Sequence, residues 1–243
     1  MIGRFLEISI ETPDILASME FYQGLGMLSA TVGEVWPHRY GVVTDGNLVL
    51  GLHDYSFESP SLTYVRPELR KSLPELQARA GSLAFSKTDD DEFNEAGFTD
   101  PDGQMIAVLE ARTFSPPEID GSDITALGHF SEFSLPVTRL DASITFWENM
   151  GFVLTDREEE GLEGACLTSD FLNLGLYVNP RMRVPGLTFR EPDMAERIEY
   201  VRAQGYRLIQ GTPISRERHA GATLIAPEGT PIYLLPELTD QET

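Results

Sequence analysis

Apolar and polar residues alternate along Glu7-Ile8-Ser9-Ile10-Glu11, the period of two that marks a strand with one buried face. Thr12-Pro13-Asp14 interrupts that pattern. Ile15, Met19 and Tyr22 then fall at helical spacing, which predicts an amphipathic helix over 14–24, stopped by Gly24 and Gly26. Three short strand-like runs follow at 27–34, 38–44 and 47–53, with Asp45-Gly46 as a hairpin dipeptide. The same order then recurs. Residues 62–66 (LTYVR) read as a strand, and Pro74 to Gly81 as a helix with Pro in its first turn and Gly at its end. Strand-like runs at 82–87, 94–99 and 104–110 complete the set, the last hairpin turning at Asp102-Gly103. Each unit reads strand, helix, strand, strand, strand (βαβββ).

The second half repeats the first. Residues 7–27 align without a gap on 132–152 at an offset of 125, pairing Glu7 with Glu132, Ser9 with Ser134, Ser18 with Ser143, Phe21 with Phe146 and Gly26 with Gly151. LVLGL at 48–52 matches LNLGL at 172–176, and DPDGQMIAVL at 100–109 matches APEGTPIYLL at 226–235. Three matches in one order at nearly one offset indicate an internal duplication. In the second half LTFRE (187–191) is the matching strand and 194–206 the matching helix, with Met194, Ile198 and Val201 as its apolar stripe. The fold class is therefore α+β, with four βαβββ modules at about 3–55, 60–111, 128–178 and 185–236. The expected division is a first domain at 1–115, a linker at 116–126 and a second domain at 127–243, the join being rich in Pro, Gly and polar residues.

Composition narrows the function. The chain carries 39 acidic against 18 basic residues, a formal net charge of −21, which argues against a nucleic-acid partner. No apolar run is long enough for a membrane span, and the N-terminus lacks the features of a signal peptide, so a cytoplasmic protein is expected. One cysteine, Cys166, allows no intramolecular disulfide and no thiolate zinc set. The acidity serves solubility or, if the carboxylates line a cleft, attracts a cationic ligand.

The four modules, the strand-to-helix entry TPDILASMEFYQGLGM and the closing DPDGQMIAVLE resemble the vicinal oxygen chelate superfamily, which includes glyoxalase I, bleomycin-resistance proteins, extradiol dioxygenases and methylmalonyl-CoA epimerase. The resemblance covers nearly the whole chain. It implies that modules pair into two cup-shaped domains, each holding a ligand, and that metal-dependent relatives place their metal ligands on the first and last strands of each module. By that resemblance Glu7 and Ser9 face the first cup, and Glu132 and Ser134 the second, while the isoleucines face the helices. Glu7 and Glu132 stand where metal-binding relatives usually carry His. The other positions read as Leu50, Leu62 or its neighbours, and Ala107 in the first cup, and as Leu174, Gly186 and Tyr233 in the second. One carboxylate per cup does not make a metal site. A divalent metal thus remains possible but is not supported by ligand residues, no cofactor is expected, and the two-His, one-carboxylate triad of iron oxygenases is missing at the family's positions.

Each cup-facing Glu has three readings: a general base, a group that binds a cationic or hydrogen-bond-donating ligand, or a structural carboxylate paired across the cup. One segment breaks the symmetry of the halves. In GEVWPHRYGVV (33–43) the residues Trp36, His38 and Tyr40 alternate, so an extended 36–40 puts them on one face, suited to a flat organic ligand or to packing between the halves. His53 reads as outward at a strand end, and His129 as opposite in facing to Glu132. The leading expectation is a small-molecule-binding protein with degenerate metal positions, monomer or homodimer. It would bind an organic ligand, cationic and aromatic if the acids line the cup, through Ser9, Trp36, His38, Tyr40, Ser134 and Tyr233. The alternative is a lyase or isomerase of the glyoxalase or epimerase type, with Glu7 or Glu132 as base or metal ligand.

Overall fold

The computed structural model describes residues 2–30, 38–89, 93–111, 125–158, 161–215 and 221–237. The first half runs β1 (Arg4–Glu11), α1 (Ile15–Gly24), β2 (Leu28–Ala30), β3 (Tyr40–Thr44), β4 (Val49–His53), β5 (Ser61–Arg66), α2 (Leu69–Ala80), β6 (Phe85–Lys87), β7 (Glu95–Thr99) and β8 (Met105–Glu110). The second repeats the order as β9 (His129–Pro136), α3 (Leu140–Met150), β10 (Val153–Glu158), β11 (Gly164–Thr168), β12 (Asn173–Tyr177), β13 (Gly186–Glu191), α4 (Met194–Ala203), β14 (Leu208–Gln210), β15 (Ala222–Ile225) and β16 (Pro231–Pro236). The expected linker at 116–126 falls outside the described residues up to 124.

Each half forms one eight-stranded sheet, ordered β2-β3-β4-β1-β5-β8-β7-β6 in the first and β10-β11-β12-β9-β13-β16-β15-β14 in the second. The opening strands of the two modules pair antiparallel at the centre, Glu7 opposite Thr63 and Glu132 opposite Thr188. On either side lies a parallel neighbour from the same module, Ser9 beside Gly51 and Thr63 beside Ala107. Period-two alternation therefore assigns whole rows to one face. Ile8, Ile10, Leu50, Leu52, Leu62, Ile106 and Val108 belong to the buried apolar core, which continues into the second half through Phe133, Trp147, Leu174, Phe189 and Leu234. Glu7, Ser9, Gly51, His53, Thr63 and Ala107 occupy the opposite face.

The helices form where the pattern places them, with one correction. Asp14 caps α1 by accepting from the Ala17 amide at 3.1 Å. Ile15 and Met19 lie over Gly41, where a Cβ would meet Met19 Sδ at 2.7 Å, so the apolar stripe of α1 packs directly on β3. In α4, Met194, Ile198 and Val201 are buried as expected. Helix α2, however, begins at Leu69, so Pro74 stands inside it and not in its first turn. The Leu69 amide is satisfied by the Glu110 carboxylate at 3.1 Å, a cap supplied by β8 and invisible to local pattern.

The two halves interlock through the paired PDG and PEG turns. Gly103 and Gly229 adopt φ of +95° and +96° with nothing near a notional Cβ, so glycine serves the left-handed backbone alone. The acidic residue before each glycine reaches the other half. Asp102 accepts from the Thr138 amide at 2.8 Å and from Ser143 Oγ at 2.8 Å, while Glu228 accepts from Ser18 Oγ at 2.9 Å and Tyr22 Oη at 2.6 Å. Among the described residues no helix is long and apolar enough to cross a membrane.

Candidate functional site

The carboxylate of Glu7 is wholly enclosed on the cup face of β1. Its space exists because β4 carries Gly51 beside it: a Cβ there would lie 2.2 Å from Glu7 Oε1. Burying an ionised carboxylate demands donors, and three side chains supply them. Ser9 Oγ donates at 2.8 Å, the Tyr40 hydroxyl donates in a short contact, and His53 Nε2 lies 2.9 Å from Oε1. Since the single Ser9 proton goes to Glu7, Thr63 Oγ1 donates to Ser9 at 2.7 Å. Beyond the carboxylate, His53 Nδ1 meets His38 Nε2 at 2.9 Å. His38 stacks on Tyr55 with ring centroids 5.1 Å apart, and Phe57 meets His53 edge-on.

This constellation borders a cavity of about 390 Å³. Ser9, His38, His53 and Thr63 lie on one side, Phe57 and Phe85 supply aromatic surface, and Met105, Ala107 and Leu109 of β8 form the floor. Lys87 and Glu95 also border it, paired with each other at 2.6 Å. Ser61 Oγ, on the same wall, is buried and without a hydrogen-bond partner among the described residues.

The second cup begins identically and ends differently. Glu132 is buried beside Gly175, whose notional Cβ would lie 2.1 Å from Glu132 Oε1. Ser134 Oγ donates to it at 2.8 Å and Thr188 lies 2.6 Å from Ser134. The remaining donors are Tyr177 Oη at 2.6 Å and Cys166 Sγ at 3.8 Å. Burial first, and then the Glu132 charge, push the Tyr177 hydroxyl well above its usual value and the Cys166 thiol up to about 12, so both stay protonated. The space over the sheet is filled by Tyr177, Met182, Ile214, Tyr233 and Leu235, packed together as a second apolar cluster.

Register corrects several sequence readings. Leu50, Leu62 and Leu174 pair with Ile8 and Phe133 on the core face, so the cup positions are one residue away: Gly51, Thr63 and Gly175. A one-residue slip reverses the face of every side chain in a strand. By the same parity His53 points into the cup and not outward. The duplicated glycine beside the duplicated Glu was the available signal, since only a missing Cβ leaves room for an inward carboxylate. His38 and Tyr40 meet at the first cup as their alternation suggested, whereas Trp36 lies outside the described residues. Tyr233, read as a ligand contact, is buried within the apolar cluster of the second cup. His129 is exposed and pairs with Glu191. His219 lies outside the described residues.

Glu7 is committed to three donors, and the register places Thr63 and Ala107 at the positions across β5 and β8. Among the described residues no group of three or more His, Cys, Asp and Glu side chains could hold a metal.

No protein-family model matches the sequence, and no curated protein matches it. Solved structures do. A catechol 2,3-dioxygenase superposes with a TM-score of 0.59 at 12% identity, covering 99% of this chain and 91% of its own. The 2,2',3-trihydroxybiphenyl 1,2-dioxygenase of Sphingomonas wittichii strain RW1 gives 0.62 at 12% identity, covering 98% and 91%. The Mn(II)-bound glyoxalase of Novosphingobium aromaticivorans gives 0.60 at 14% identity, covering 97% and 82%. At such identities the likeness shows the fold, over both halves, and does not extend to activity.

Proposed function

From a chain that has the fold of the vicinal oxygen chelate superfamily, in two tandem halves, we propose a small-molecule-binding protein whose first cup takes a flat organic ligand. The observation that carries this reading is the cavity of about 390 Å³ beside the buried Ser61 hydroxyl, which has no hydrogen-bond partner among the described residues. Its size and mixed lining, aromatic walls with a few convergent polar groups, suit a ligand of one or two rings. At its edge Lys87 and Glu95 offset each other, and Glu58 favours a ligand with a positive or hydrogen-bond-donating end. In this reading no metal is needed to hold the ligand, and one chain suffices, because two halves already pair within it.

The test uses the second cup as a template for closing the first. Tyr233 corresponds to Ala107, and Gly186, where a Cβ would lie 2.5 Å from the Tyr233 ring, corresponds to Ser61. The double variant Ala107→Tyr, Ser61→Gly should fill the cavity. A panel of neutral and cationic flat aromatic compounds, screened by thermal shift, should stabilise the unmodified protein and lose that effect in the variant. Compounds that stabilise both equally, or none that stabilise either, would overturn the assignment.

A further inference from the structure

We propose that the cleft where the two halves meet behind β5 is a second ligand site, which takes an uncharged, largely apolar molecule through a hydrogen bond from Tyr64 to its carbonyl oxygen. The cleft holds about 350 Å³ and shares no lining residue with the cavity of the first cup. Ile2 and Tyr64 border it from the first half, and Met150, Phe152, Val153 and Phe171 from the second. Parity fixes the direction of Tyr64. Thr63 faces the cup, where it bonds to Ser9, so the neighbouring Tyr64 leaves β5 on the opposite face, towards the second half. The hydroxyl is the tip of that ring, and therefore its part farthest from β5.

The duplication shows that the fold does not need this hydroxyl. Tyr64 stands opposite Phe5 across β1 and β5, edge to face, with ring centroids 5.4 Å apart at 68°. In the second half the same pair is Phe189 and Phe130, 5.7 Å apart at 69°. One ring geometry is thus kept by a phenol in one copy and by a plain phenyl in the other. The phenol oxygen is buried and has no hydrogen-bond partner among the described residues. An unmet buried donor costs stability, which a bound acceptor offsets. Burial also pushes the hydroxyl above its usual value, so it stays protonated and able to donate. The other hydroxyls of the cleft are committed. Thr168 Oγ1 donates to Asn173 Oδ1 at 2.7 Å, and Ser169 Oγ donates to the Leu172 carbonyl at 2.9 Å. Charge selects against ions: Asp170 borders the cleft, and the Arg4 guanidinium lies 6.0 Å from the centroid of the Phe171 ring, so one group of each sign stands at the edge. Val153 and Phe171, 62% and 45% exposed, leave apolar surface at the mouth. The Tyr64 oxygen is itself closed to water, so binding includes a small side-chain movement at the inner end of the cleft.

The probe is 6-propionyl-2-dimethylaminonaphthalene, an uncharged fluorophore whose emission moves to the red when its carbonyl accepts a hydrogen bond. It is titrated into the unmodified protein and into the variant Ala107→Tyr, Ser61→Gly, in which the first cup is filled. We expect saturable binding of one equivalent to the filled variant. Tyr64→Phe, which installs the ring that the second half carries at Phe189, should shift the bound emission to the blue and weaken binding about fivefold to tenfold. The same comparison in the unmodified protein serves if the filled variant does not fold. Without the probe, Tyr64→Phe should melt no lower than the unmodified protein, since it removes an unmet donor. Val153→Trp, at the exposed mouth, should block binding. Emission and affinity unchanged in Tyr64→Phe, or no saturable binding to the folded filled variant, overturns the cleft as a site. A lower melting temperature of Tyr64→Phe overturns it too, because the hydroxyl then has a structural partner. Binding that disappears when the first cup is filled supports the cup and overturns the cleft, so the two readings fail separately.

Discussion

After the same Leu-Gly-Leu, β4 ends in His53 and β12 in Tyr177, and that one difference separates the chemistry of the two cups. Both residues reach the buried Glu, at 2.9 Å from His53 and 2.6 Å from Tyr177. Tyrosine ends the hydrogen-bond chain, because its single proton goes to Glu132. Histidine continues it, because the second ring nitrogen reaches His38. The adjacent strand adjusts to each choice. Opposite His53 stands Tyr40, which donates to Glu7, whereas opposite Tyr177 stands Gly164, where a Cβ would lie 3.3 Å from the tyrosine ring. Ala107 against Tyr233 completes the contrast. In one copy of the duplicated unit the buried carboxylate is bonded to side chains that border a cavity; in the other it bonds to Tyr177, part of an apolar cluster. The shared Glu-x-Ser is thus a structural inheritance, and what surrounds it decides whether it can serve a ligand.

The comparison breaks hardest at Tyr233. Tyr233→Ala should open the second cup and cost about 3–5 kcal/mol of stability, as large aromatic-to-alanine changes in cores do, measured by denaturant unfolding. If the second cup is closed only by filling, this variant should also acquire a second equivalent of aromatic ligand. A smaller effect is expected at the duplicated glycine. Gly51→Ala and Gly175→Ala each push a methyl into a carboxylate, so each should destabilise by about 1–3 kcal/mol. Only Gly51→Ala should move an imidazole NMR resonance, since Glu7 bonds to His53 and Glu132 has no histidine partner among its described contacts.

The smallest effect is alkaline. The Cys166 thiol ionises near 9.0 when unfolded and is pushed up to about 12 in the fold. Above pH 9 the unfolded chain releases a proton that the folded one keeps, so stability contributed by this group falls as pH rises from about 9 to 12. Cys166→Ala should flatten part of that loss in thermal melts at pH 8 and pH 10.5. The native thiol should resist alkylation at pH 8.

Much of the fold was legible in local pattern. Alternation in β1, the helical stripe of α4 and the 125-residue offset are properties of neighbours along the chain, and they determined the four modules and the duplication. Pattern also singled out Glu7, Ser9, His38 and Tyr40, which one hydrogen-bonded network links through His53, because an acidic residue at the polar phase of a buried strand, and alternating aromatics, are visible without a partner strand. The facing of β4 was not legible. Residues 50–53 are nearly continuous in burial, so the sequence alone offers no phase, and only the pairing of Ser9 with Gly51 turns His53 inward. The start of α2 likewise depends on Glu110 from β8. The sequence by itself thus determined the modules, their repetition and the carboxylate at the head of each half. Tertiary structure alone decided which cup is open and which histidine joins its Glu, because register and space filling are set between strands far apart in the chain.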